Sequence, residues 1–224
     1  MIITVVGLGV VGGSFVKALK GQGHEVYGVD VDEETLARAK ADGCIKEGFV
    51  DGREIIKQSD MTIICLYPSL VLDYIKEHEF KKGSIITDAV GVKTHFLNEA
   101  MDLLKDKDVE FVSGHPMAGR ENKGYLYASK EVFQGANYIL IQHEQNSKSA
   151  IAMMEQFVSN LGFHSVKIMS PQAHDEIISF TSQLPHVIAV SLIDSDNQKY
   201  DTGKYIGDSY RDLTRIANIN EDLW

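Results

Sequence analysis

The 224-residue chain has little cysteine and a shortage of positive charge. Its two cysteines, Cys44 in a polar stretch and Cys65 in an apolar run, form neither a disulfide framework nor a zinc site, and they fit a reducing cytoplasm. Lys and Arg number 22 against 32 Asp and Glu, for a net charge of −10 with no basic block. Neither a nucleic-acid backbone nor an anionic membrane surface is therefore an expected partner. No histidine pair has a spacing such as HExxH, and no metal is expected. Internal repeats, low-complexity tracts and flexible linkers are also lacking. The apolar start MIITVVGLGVVGG has no basic flank and is broken by glycines, so it reads as neither a signal peptide nor a membrane span. What remains, at 44% hydrophobic and 24% charged, suits one large α/β domain with a smaller companion.

The apolar periodicity places strands at 2–6, 26–29, 61–66 and 84–87, alternating with helices at 14–20, 33–41, 69–78 and 93–104. Such alternation means βαβ units and a doubly wound parallel sheet. Further β-rich pieces at 109–113, 137–141 and 165–168 are expected to extend that sheet, with a helix at 147–161. The expected division is a Rossmann-type dinucleotide-binding domain over 1–169 and a smaller all-helical domain over 170–224 that reads as cut short. Ser170-Pro171 is a helix start. The apolar stretch 176–193 is expected to be a buried helix that Pro185 kinks or splits, followed by a loop at 194–204 and a short helix at 210–217.

Gly7-Leu8-Gly9-Val10-Val11-Gly12 lies where a dinucleotide fold needs glycines, between a first strand and a first helix. The first glycine makes the turn, the second admits the pyrophosphate, and the third lets helix pack on strand. Asp30 ends the second strand, where a carboxylate accepts hydrogen bonds from both ribose hydroxyls and repels a 2′-phosphate. NAD is therefore the expected cofactor. Leu66, at the end of the third strand, and Tyr67 and Pro68 just after it are counted with the cofactor site.

Residues 113–124, SGHPMAGRENKG, read as a loop at the carboxyl edge of the sheet, where ligands bind in this architecture. His115 there is a candidate general base. Four further blocks stand in order with GHPMAG: GLGVVGGSF, DAVGVK at 88–93, SQLPHVIA at 182–189, and RDLTRIA at 211–217. Together they resemble the prephenate and arogenate dehydrogenase family of tyrosine biosynthesis over nearly the whole chain. The resemblance implies NAD-dependent oxidative decarboxylation of a small cyclohexadienyl acid, in a homodimer formed through the helical domain.

The same resemblance implies that His115 is the catalytic histidine bonding the ring hydroxyl, and that Arg215 grips a substrate carboxylate, a task for which a guanidinium fork is suited. It also matches His186 to the second histidine of an SHLPH block and Glu121 to the acid after the HPMAG turn. Three positions depart from the family. Gly91 stands where a serine is common, Gln183 replaces the first histidine of SHLPH, and Arg120 follows HPMAG where Thr or Ser is usual and could compensate for the lost serine. Arg211 either binds substrate or neutralises Asp212 or Glu221, and Glu121 either receives an amino substrate or pairs with Arg120. His174 is a further candidate, whereas His24, His78, His95, His143 and His164 read as surface residues and Met153 and Met154 as core. Alternatives to a prephenate dehydrogenase are an arogenate dehydrogenase, a β-hydroxyacid dehydrogenase and a non-catalytic NAD-binding regulatory module.

Overall fold

A computed structural model describes residues 1–119 and 122–218. The chain divides into two compact units, Met1–Gln172 and Ala173–Trp224. In the first, β1 (Ile2–Val6), β2 (Glu25–Val29), β3 (Glu47–Phe49), β4 (Met61–Ile64), β5 (Ser84–Asp88) and β6 (Val109–Phe111) form one sheet in the order β3-β2-β1-β4-β5-β6. Every pairing in it is parallel. The crossovers carry α1 (Val10–Leu19), α2 (Glu33–Ala41), α3 (Arg53–Ile56), α4 (Pro68–Glu77) and α5 (Thr94–Leu104). The strand order reverses between β1 and β4, which makes a crevice at their carboxyl ends. β1 and β4 are buried along nearly their whole length, as continuous β-branched runs should be when helices cover both faces.

The sequence pattern misses β3, a three-residue edge strand around Gly48. The glycine lets α2 approach, since a Cβ there would lie 2.9 Å from Leu36. A larger correction concerns the later strands. Only 109–111 joins the parallel sheet. β7 (Ser113–Pro116), β8 (Asn137–Ile141) and β9 (Ser165–Met169) form a second sheet, with β7 antiparallel and β9 parallel to β8. Local periodicity identifies a strand without identifying its partner, and these three pair with one another. Packing joins this sheet to α1: Phe15, Phe133, Phe163 and Tyr138 form a chain of ring contacts with centroids 4.4 to 5.0 Å apart. α6 (Lys148–Ser159) covers the sheet with Met154 buried, while Met153, expected in the core, is exposed. His78, expected at the surface, is buried; its ring stacks on Tyr74 at 3.8 Å and its Nδ1 donates to the Tyr74 carbonyl.

The second unit is helical among its described residues. α7 (Pro171–Ile178) runs through a π-helical turn, Ser179–Gln183, into α8 (Leu184–Asp194), and α9 (Asp208–Thr214) ends in a 3-10 turn at Arg215–Ala217. The widened turn is where Pro185 takes effect, because its ring clashes with the carbonyl four residues back and it has no N–H to donate. The expectation of a buried helix over 176–193 does not hold. His174, Ile178 and Ala189 are buried, but Ile177, Phe180, Leu184, Val187 and Ile188 are exposed, Phe180 by 68%.

Candidate functional site

The glycine turn is specified atom by atom. Gly7 has φ +82°, and a Cβ on it would meet the Cys65 carbonyl at 2.7 Å and Leu66 at 3.0 Å. A Cβ on Gly12 would sit 1.9 Å from the Gly7 carbonyl oxygen, so α1 can leave the strand here only without a side chain. Gly9 is different. Nothing lies within 4 Å of where its Cβ would be, and it caps α1 with no side-chain hydrogen bond. An open space at the N-terminus of a ten-residue helix fits a phosphate group. Val10 and Val11 form the first turn of α1.

Asp30 follows β2 beside this turn. One of its carboxylate oxygens accepts the Leu8 N–H at 2.6 Å and the other the Asp32 N–H at 3.0 Å. A carboxylate has about four acceptor sites, so the same group that fixes the glycine turn keeps capacity for ribose hydroxyls. Asp32 instead caps α2 and accepts from Thr35 and Glu34, which hold its carboxyl below the usual range. On the other side of the crevice Leu66 touches the turn, Tyr67 is the N-cap residue of α4 and Pro68 its first residue. The Cys65 thiol is pushed up by burial and then by the charge of Asp88, so it is a poor nucleophile.

His115 does not lie in a loop. It is on β7, opposite Ile139 of β8, and is half-buried. Gly114 and Pro116 weaken the strand signal in the sequence, yet Gly114 has a packing cause: a Cβ would lie 2.1 Å from the Tyr138 hydroxyl. The ring of His115 faces Gly91, which sits in the turn after β5; a Cβ on Gly91 would lie 3.8 Å from both Cε1 and Nε2 of the histidine. Backbone strain does not require glycine at this position, and the space beside the imidazole would accept a methyl group.

Beneath these two residues is a buried polar cluster that the sequence reading passed over. Lys93 and Asp88 are fully buried and joined at 2.6 Å. Asp88 also accepts from the Ser113 hydroxyl at 2.6 Å and the Val90 N–H at 2.8 Å, and Lys93 also donates to the Gly114 carbonyl at 2.7 Å. The available signal was two opposite charges five residues apart in an otherwise apolar block beginning at the last residue of a strand. Arg120 and Glu121 lie outside the described residues.

In the helical unit, His186 of α8 donates from Nδ1 to the Ile216 carbonyl at 2.8 Å, since a carbonyl can only accept. That bond ties α8 to the turn carrying Arg215, which is exposed. Gln183 closes the π-helical turn just before α8. Arg211 pairs with Asp208, three residues back, at 3.1 Å and exposed, and not with Asp212; Glu221 lies outside the described residues. His174 is buried and bonded to Asp175 at 2.8 Å. No group of three or more His, Cys, Asp or Glu side chains gathers as a metal set among the described residues.

Comparison with known proteins places this geometry in a family. Residues 15–167 match the model of the prephenate dehydrogenase nucleotide-binding domain, and residues 170–224 that of the prephenate dehydrogenase dimerization domain. The chain is 29% identical to prephenate dehydrogenase of Bacillus subtilis, over 99% of its own length and 62% of that relative's. It therefore spans less than two thirds of that relative. The crystal structure of prephenate dehydrogenase from A. aeolicus, in complex with hydroxyphenyl propionate and NAD+, superposes with a TM-score of 0.89 at 27% identity, covering all of this chain and 80% of that one. Arogenate dehydrogenase of Synechocystis superposes with a TM-score of 0.86 at 26% identity, covering all of this chain and 81% of that one. With family models matching both halves, the chain belongs to the prephenate dehydrogenase family.

Proposed function

We propose that the chain carries out NAD-dependent oxidative decarboxylation of prephenate to 4-hydroxyphenylpyruvate, a step of tyrosine biosynthesis. The observation that carries the reading is the position of His115, its ring against the turn that leaves the carboxyl end of β5, in the unit that also holds the glycine turn. That edge is where a doubly wound sheet receives its ligand. NAD supplies the hydride acceptor when bound. Gly7, Leu8, Gly9, Val10, Val11 and Gly12 hold its pyrophosphate, Asp30 the ribose hydroxyls, and Leu66, Tyr67 and Pro68 flank it.

The chain's own chemistry is proton management and anion binding. As hydride leaves the carbon bearing the ring hydroxyl, His115 accepts the hydroxyl proton. The resulting carbonyl then draws in the electrons released when the ring carboxylate departs as carbon dioxide. The ring becomes aromatic, and the phenolate oxygen recovers a proton from His115. Arg215 binds one of prephenate's two carboxylates, with His186 and Gln183 as supporting polar groups, while Arg211 stays with Asp208. Arg120 is assigned to the other, making up for the side chain missing at Gly91, and Glu121 is the group that would favour an amino substrate.

A homodimer through the helical unit accompanies this reading. The helical run Pro171–Asp194 is 24 residues long and holds an apolar 18-residue window, yet only 11% of that window is buried. Ile177, Phe180, Leu184, Val187 and Ile188 recur at helical spacing and favour burial against a second copy. The experiment is a steady-state comparison of prephenate with arogenate and of NAD with NADP. Highest kcat/KM with prephenate and NAD is expected. A preference for arogenate moves the assignment to arogenate dehydrogenase, and no turnover with either leaves a nucleotide-binding module.

A further inference from the structure

A fully buried ion pair is a poor way to gain stability, because apolar residues of the same volume often do as well or better. The Lys93–Asp88 pair therefore calls for another use, and its remaining hydrogen bonds indicate one. Asp88 ends β5. One of its oxygens holds the Val90 N–H, fixing the turn that presents Gly91; the other holds the hydroxyl of Ser113, the first residue of the strand that presents His115. Lys93 closes the ring by donating to the Gly114 carbonyl, the peptide group that leads directly into His115. Tyr138, whose hydroxyl occupies the space a Gly114 side chain would need, supports the same peptide from below.

We propose that Lys93 and Asp88 are positioning residues that clamp β7 to the 88–93 turn and thereby set the His115 ring against Gly91. Both side chains have no exposed surface, so neither touches substrate. The proposal rests on the role of His115 given above for its kinetic consequences, but its geometric content is independent of substrate.

The test uses the full chain as wild type, Lys93→Met, and the double variant Lys93→Met/Asp88→Asn. The single change leaves a buried carboxylate without its cation and is expected to lower Tm. The double change removes both charges, while the asparagine amide can still accept from Val90 and donate to Ser113, so Tm should recover toward wild type. In both variants kcat should remain on the order of 10- to 100-fold low, as displacing a catalytic group by about an ångström does. NAD binding should hold within about twofold. The His115 Cε1–H resonance in the substrate-free protein should move in both variants, with that of the exposed His95 unchanged. A double variant with wild-type kcat and an unmoved His115 resonance would show that the pair only balances charge and would overturn the proposal. If the wild type does not turn over prephenate yet the His115 resonance moves, the clamp stands and the reading of the reaction falls. If the resonance does not move, the clamp falls whatever the turnover.

Discussion

The two units hold their candidate residues by different means. In Met1–Gln172 the backbone does most of the holding. Gly12 is forced by the Gly7 carbonyl, Asp30 is bonded to two main-chain N–H groups, and His115 sits on a strand tied by buried hydrogen bonds to the turn of Gly91. In Ala173–Trp224 the holding is lighter. His186 has a bond to a carbonyl near Arg215, Arg211 has an exposed partner one turn away, and Ile177, Phe180, Leu184, Val187 and Ile188 face outward. The nucleotide turn and the strand of His115 are thus held within their own unit. A helical unit with an uncovered apolar stripe is the one whose setting the proposed homodimer would complete.

Outside His115 and the Lys93–Asp88 pair, the largest expected effect of a single change is at Arg215. Arg215→Ala should cost ~1.5 to 3 kcal/mol of transition-state binding, roughly ten- to a hundredfold in kcat/KM and mostly through KM. The Tm should stay near wild type, because this residue is exposed. A loss carried by kcat alone, with KM unchanged, would remove Arg215 from carboxylate binding.

Next in size is a contrast within the glycine turn. Gly12→Ala should lower stability by ~1 to 3 kcal/mol, since its methyl would overlap the Gly7 carbonyl. Gly9→Ala, with open space around it, should leave the thermal transition nearly in place and weaken NAD binding. Calorimetry with a cofactor titration separates the two, and equal destabilisation by both would contradict the division of labour between these glycines.

The assembly half of the comparison is probed by Phe180→Glu, which places a charge on the apolar stripe. Sedimentation should show a shift from dimer toward monomer, with NAD affinity intact because the nucleotide turn belongs to the other unit. A wild-type chain that sediments as a monomer would refute dimerisation through this stripe. The smallest effect is expected at Arg211. Its exposed pair with Asp208 is worth no more than about 1 kcal/mol, so Arg211→Ala should leave stability and KM near wild type. A large rise in KM would instead make Arg211 a substrate residue.

The doubly wound sheet was legible because its signals are local: β-branched runs, the spacing of glycines, and an acid at the end of the second strand. The second sheet was not, because pairing Ser113–Pro116 with Asn137–Ile141 depends on contacts between distant segments. The strand under His115 was hidden by Gly114, whose cause is the Tyr138 hydroxyl contributed from β8. The buried pair Lys93–Asp88 went unnoticed for a related reason. The block DAVGVK carries a family resemblance in the sequence, but nothing local shows that its two charges are both buried and paired. The exposed face of the long helix was misread because hydrophobic content indicates that a surface will be covered without saying by what.

The proton-accepting role of His115 is tested most directly by measuring kcat against pH for the wild type and for His115→Asn, with NAD affinity measured on the same samples. Wild-type turnover of prephenate should fall on the acid side as the imidazole becomes protonated. The variant, which keeps a hydrogen bond but no base, should be slower by on the order of 10²-fold or more, without that acid limb and with NAD affinity unchanged. A variant that turns over prephenate at the wild-type rate with the same acid limb would contradict the role and leave His115 a structural residue of its strand.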